Sequence, residues 1–201
     1  MEFVIKDFYE NEIDVEKSRF ITYFFPISSK EDFLLQINKI KKEHNKARHH
    51  CYAYKINGEI KYSDDGEPQG SAGKPILSVI ESKNLNNCAI IVVRYFGGVL
   101  LGSGRLLRTY SLSASSIVSI AKFYEIIEEN EISVEVELDY YDIFKNYLSK
   151  KHFLIKSTIF NDKISIVFYT PLNFNDDLDS MFYPKVKILS KEVVKRAKEV
   201  M

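Results

Sequence analysis

The stretch VRYFGGVLLGSGRLLRTY, residues 93–110, decides how the first half of the chain is read. The apolar run NCAIIVVRY leads into it and reads as a buried strand. Beyond it, Leu106, Leu107, Tyr110, Ala114, Ile117, Val118 and Ala121 recur at helical spacing and mark one side of a long helix. Between strand and helix lie Gly97, Gly98, Gly102 and Gly104, half of the chain's eight glycines. A tight turn needs only one. A helix start tuned for stability carries Asp or Glu, because the backbone dipole is positive there. This one carries Arg105 and Arg108 instead, with Arg94 at the strand's end.

Two readings of the loop stand on the residues alone. In one, the glycines let backbone amides converge on a ligand, and the helix start adds unpaired N–H groups. Phosphate suits that geometry best, since guanidinium pairs with it through two parallel hydrogen bonds. In the other, the glycines only permit a sharp bend and close helix–strand packing. The loop is not a dinucleotide fingerprint, because Gly102-Ser103-Gly104 lacks the third glycine, and no P-loop lysine is present.

Outward from this loop, charge is uneven although it balances overall. Lysine plus arginine number 28 and aspartate plus glutamate 28, so net charge says nothing about partners. Residues 83–124 contain no acid, yet include Lys83, Arg94, Arg105, Arg108 and Lys122. A second basic run holds Lys39, Lys41, Lys42, Lys46 and Arg48 against Glu43 alone. Each run is either a solvated face or an anion-facing one. Cys51 and Cys88 sit in apolar runs without CxxC spacing, which suits two reduced thiols and a cytoplasmic setting. The acidic start MEFVIKDFYENEID has no signal-peptide character, and CAIIVV is far too short to span a membrane.

All glycines lie between Gly58 and Gly104, a contrast that divides the chain into an expected first domain, 1–128, and a second, 129–201. In the first, SRFITYFFPI reads as a strand, Ser28 and Glu31 as a capping box, and Phe33, Leu34, Ile37 and Ile40 as the helix that follows. HHCYAYKI and IKYS flank an NGE hairpin turn, and Pro75 suits the first turn of a helix ending near Ser82. The expectation is α+β, with helices on one face of a sheet. In the second domain, EISVEVEL points Ile132, Val134, Val136 and Leu138 one way. Asp139 caps a helix with Phe144, Tyr147 and Leu148, and two strands flank NDK. A short helix over 173–182 and a strand over 186–189 complete a β-α-β-β-α-β, ferredoxin-like order. Val193, Val194, Ala197 and Val200 fit either a helix or a longer strand.

Two further stretches carry chemistry-bearing residues. In YSDDGEPQGSAGKP, Asp64, Asp65 and Glu67 are close enough to bind a divalent metal or act as acid and base, but their spacing is not that of a calcium loop. They also suit turn capping, or pairing with Arg94 or Arg108 to hold the glycine loop. In ARHHCYAY, His49 and Cys51 share one strand face and His50 takes the other. A structural role fits these better than zinc or a nucleophile, since one face supplies too few ligands. No catalytic residue, metal site or cofactor is expected.

ARHHCYAY, SDDGEPQGSAGKPIL and VVRYFGGVLLGSGRLLRTY together resemble the signature of the YigZ/IMPACT family. The resemblance covers roughly residues 47–110. It implies a first domain like the second domain of small-subunit ribosomal protein five, and a ferredoxin-like second domain similar to the last of elongation factor G. Eukaryotic relatives regulate translation under amino-acid stress by competing with a kinase for its activator. For bacterial members, the folds imply nucleic-acid or ribosome binding. Two positions depart from the pattern, with Arg105 in place of glycine and Val93 in place of threonine. Two functions follow as expectations. One is a non-catalytic binder of RNA or the ribosome in translational control, possessing a protein partner there in the eukaryotic manner. Its phosphate contacts are Arg94, Arg105 and Arg108, with Gly97, Gly98, Gly102 and Gly104 shaping the approach. The other is a small enzyme acting on a phosphorylated metabolite or nucleotide, with Asp64, Asp65 or Glu67 holding Mg²⁺ or serving as base.

Overall fold

The computed structural model of this 201-residue chain describes residues 2–174 and 178–200. It is α+β and divides into two compact units. The first runs to Glu125 and takes in the chain's end from Ala197; the second is Ile126–Arg196. The break thus falls three residues before the expected one, and the last residues join the first unit.

In the first unit, β2 (Tyr9–Val15), β3 (Ser18–Pro26), β4 (His49–Ile56), β5 (Glu59–Ser63) and β6 (Cys88–Tyr95) form an antiparallel sheet in the order β2-β3-β6-β4-β5. Parity sorts its side chains. Phe20, Phe24, Cys51, Ala53, Ile90 and Val92 pack against α2 (Gly73–Ser82) and α3 (Ser103–Ser119). Ile21, Tyr23, Phe25, Ala89, Ile91 and Val93 pack against Phe33, Ile37 and Ile40 of α1 (Lys30–Glu43). Helices therefore cover both faces, which corrects the one-face expectation. The uninterrupted apolar run on central β6 follows from this, because neither of its faces meets water. The α1 cap also shifts by one residue, with Ser29 Oγ accepting the Asp32 amide at 3.1 Å and Ser28 bonding the Asp32 carboxylate.

Two short elements went unread in the sequence. β1 (Phe3–Val4) pairs with Tyr124 and Glu125 at the start of β7 (Phe123–Val136). β2 joins β3 through Glu16 and Lys17, both at positive φ. The NG turn between β4 and β5 does the same at Asn57 and Gly58, as a two-residue hairpin turn requires.

The second unit holds the rest of β7, α4 (Tyr141–Lys150), β8 (Leu154–Phe160), β9 (Ile164–Pro171), α5 (Leu178–Phe182) and most of β10 (Val186–Val200). β7 pairs β9, β9 pairs β8, and β10 pairs β7. Ile132, Val134, Val136, Ile166, Phe168, Phe144 and Leu148 form its core. Three expectations change here. Leu138 leaves the alternation in a 3-10 turn and is 58% exposed. Asp139 does not cap α4 but accepts a hydrogen bond from Lys185 Nζ at 2.9 Å. The ambiguous end is strand, as part of β10. Of the helix expected over 173–182, residues 175–177 lie outside the described residues, and α5 is the part described.

Candidate functional site

The strand register places His49 opposite Arg94 and Cys51 opposite Val92. His49, Cys51 and Arg94 therefore share the face covered by α3, which contributes Leu106 and Tyr110. The segment after β5 turns over this corner through Asp65 and Gly66, both at positive φ. The result is a buried polar cluster with one carboxylate at its centre. Glu67 Oε1 accepts hydrogen bonds from Arg94 Nη1 at 2.7 Å and from the Tyr110 hydroxyl at 2.8 Å. His49 donates from Nδ1 to the Asp65 carbonyl at 2.7 Å, which leaves Nε2 with Glu67 Oε1 at 3.8 Å, beyond hydrogen-bond range. The Cys51 thiol donates to the Asp64 carbonyl at 3.0 Å. Burial pushes the Cys51 thiol and the Tyr110 hydroxyl far up, and the Cys88 thiol up to about 12. Neither thiol is a nucleophile at neutral pH.

Arg94 is thus not an outward phosphate contact. It is 5% exposed, ion-paired with Glu67, and its Nη2 donates to Ser18 Oγ at 3.4 Å, while its Nε has no partner among the described residues. Burying a guanidinium this deep is costly unless a carboxylate offsets its charge, and Glu67 supplies one. The other two acids are also engaged. Asp64 accepts the amides of Gly70, Ala72 and Gly73 at 2.8–3.0 Å, filling the N-terminus of α2 with a carboxylate of the chain itself. Asp65 accepts the His50 amide at 2.6 Å and lies 3.7 Å from Lys41 Nζ. Among the described residues no group of three His, Cys, Asp or Glu is placed to hold a metal ion.

The start of α3 is different. Its N-cap is Gly102 at φ 74°, no side chain among the described residues caps it, and its first turn has no acid. The amides of Ser103, Gly104 and Arg105 therefore have no intrahelical acceptor. The glycines divide by role. A Cβ on Gly97 would collide with the Lys17 backbone, so Gly97 serves close packing on the β2–β3 turn, and its amide donates to Ser18 Oγ. Gly98 and Gly102, both at positive φ, have open space where a Cβ would stand, and Gly104 has only the tip of Arg108 at 4.0 Å. The other two arginines expected at the site are both exposed and lie on α3. Arg105 pairs at the surface with Glu16 at 2.6 Å, and Arg108 forms no ion pair among the described residues.

Beside this helix start lies a pocket of about 300 Å³. Its lining joins the polar cluster (His49, Glu67, Arg94) to Gly102 and Ser103. Arg48 and Phe96 line it too, the Arg48 guanidinium lying 5.0 Å from the Phe96 ring centroid without an ion pair among the described residues. Sequence reasoning left Arg48, His49, Phe96 and Tyr110 outside the site. The parity of β4 carried a signal for His49, since it shares a face with Cys51 on the sheet side that the α3 residues cover.

Residues 16–118 match the Impact N-terminal domain family. The chain is 35% identical over 170 residues to the IMPACT family member YvyE of Bacillus subtilis, covering 83% of this chain and 78% of that one. It is 38% identical over 102 residues to the IMPACT family member YigZ of Escherichia coli, 48% of this chain and 50% of that protein. The alignment with the E. coli relative thus spans half of that protein's length. A crystal structure described only as that of a hypothetical protein superposes with a TM-score of 0.60 at 25% identity, over 96% of this chain and 98% of the other.

Proposed function

Because this chain belongs to the IMPACT family, we propose that it is a non-catalytic protein of translational control that binds RNA, free or within the ribosome. One observation carries the reading. The chain fills the N-terminus of α2 with Asp64 and leaves the N-terminus of α3 uncapped, acid-free and beside Arg48 and Arg108. A positive dipole end, open amides and unpaired guanidinium groups together form a phosphate site. Gly98, Gly102 and Gly104 keep the approach clear. Arg105 joins when it releases Glu16, a surface pair worth little in water. The fold-level reading agrees with this. The first unit is proposed to be like the second domain of small-subunit ribosomal protein five. The strand order β10-β7-β9-β8 supports a ferredoxin-like second unit similar to the last domain of elongation factor G. The alternative, an enzyme acting on a phosphorylated metabolite, finds Asp64, Asp65 and Glu67 already bonded within the chain.

Filter binding of RNA as salt is raised tests the proposal. Affinity is expected to fall linearly on logarithmic axes, and Arg108→Ala to lower the slope by about one. Absence of RNA or ribosome association at low salt refutes it.

A further inference from the structure

The pocket beside α3 is more elaborate than a backbone-phosphate contact requires. Phosphates on a surface need amides and guanidinium groups. They do not need a cavity walled by Leu101 and Leu106 on one side and bearing buried polar atoms on another. His49 is 9% exposed and its Nδ1 donates to a carbonyl, so Nε2 is the ring nitrogen left to face a ligand, with no hydrogen-bond partner among the described residues. Glu67 beside it is an acceptor. Arg48 against Phe96 makes a flat cationic platform, the kind of surface on which unpaired bases stack. Gly102 and Ser103, at the uncapped start of α3, line the same cavity. A stacking platform, an acceptor edge and an anion seat around about 300 Å³ have the size and polarity of a small-ligand pocket.

We propose that this pocket receives one unstacked nucleotide of a single-stranded RNA, its phosphate on the α3 N-terminus and its base on the Arg48–Phe96 platform. The proposal rests on the RNA reading above and adds strand selectivity to it. The base edge donates to His49 Nε2 and Glu67, which favours bases carrying an exocyclic amino group over uracil. A duplex keeps its bases paired and reaches only the phosphate contacts.

Fluorescence anisotropy with one labelled RNA, as a single strand and annealed to its complement, separates the two claims on the full chain. Phe96→Ala is expected to weaken single-strand binding about tenfold and leave duplex binding unchanged. Arg48→Ala, at an exposed position that cannot disturb the core, is expected to weaken single-strand binding more than duplex binding, because Arg48 also stands beside the phosphate seat. Arg108→Ala weakens both forms. Oligouridine binds more weakly than oligoadenine or oligocytidine of equal length. If Phe96→Ala leaves single strands as tightly bound as before while Arg48→Ala and Arg108→Ala each weaken both forms alike, the pocket claim is overturned and the RNA reading stands. If neither form binds the wild-type chain, both fall together.

Discussion

Glu67 and Arg94 illustrate how a residue can be placed correctly and its role misread. Both sit at the corner that the sequence marks out, and the possibility that an acid there holds an arginine is legible from the motif. Which arginine is held depends on strand parity and on the path of the segment after β5. Arg94 follows Val92 on the α3 face, where it is 5% exposed, so Glu67 must offset its charge. Removing one partner leaves a buried, unpaired charge. Arg94→Ala is therefore expected to lower the unfolding free energy by about 3–5 kcal/mol, whereas Arg108→Ala stays within about 0.5. Urea unfolding of both variants checks this, and equal effects would contradict the assignment of Arg94 as internal. His50 adds a pH effect. Burial holds its imidazole below the usual histidine range, so between its folded and unfolded values the unfolded chain binds more protons. This contribution is intact above pH 6.5 and is lost as pH falls through the folded value. His50→Gln should flatten the stability-against-pH curve in that window.

At the scale of elements, strand and helix positions were largely readable and their ends were not. The apolar run of β6, the NG turn and the helical spacing of α3 are strong local signals. The α1 cap moved by one residue because two adjacent serines compete for the role, and only Ser29 has its oxygen over the Asp32 amide. The two-sided covering of the sheet was available in principle from β3 and β6, where neither parity is polar. The terminal strand was not, because helical spacing and strand pairing both fit it until β7 is present to pair with it. The glycine loop makes a prediction at this scale. Gly97→Ala forces a methyl group into the Lys17 backbone and is expected to cost at least about 1–3 kcal/mol. Gly104→Ala, inside the helix and free of such a clash, should be neutral to stabilising. Thermal unfolding distinguishes the two, and a Gly97→Ala protein as stable as wild type would contradict the packing role.

Across the whole molecule, opposite charges cancel, so any anion affinity must be local. Lys61 on β5 pairs in register with Tyr54, five residues along β4 from His49 and so roughly 17 Å away. That exceeds the Debye length of about 8–10 Å at moderate salt. Lys61→Glu and Arg108→Glu change the net charge equally, yet only the second is expected to abolish RNA binding. Equal losses in a binding assay would show a diffuse field rather than a site. The motif made this corner visible, but the site's composition depended on three segments meeting, which spacing along one chain does not reveal.

The most direct measurement uses Ser103→Asp, read both for unfolding free energy and for RNA affinity. A carboxylate in the first turn of α3 complements the helix dipole and should raise stability by about 0.3–1 kcal/mol. It also occupies the seat proposed for phosphate, so RNA affinity should fall at least tenfold. A variant that gains stability and still binds RNA as tightly as wild type would contradict the claim that this helix start is kept open for phosphate.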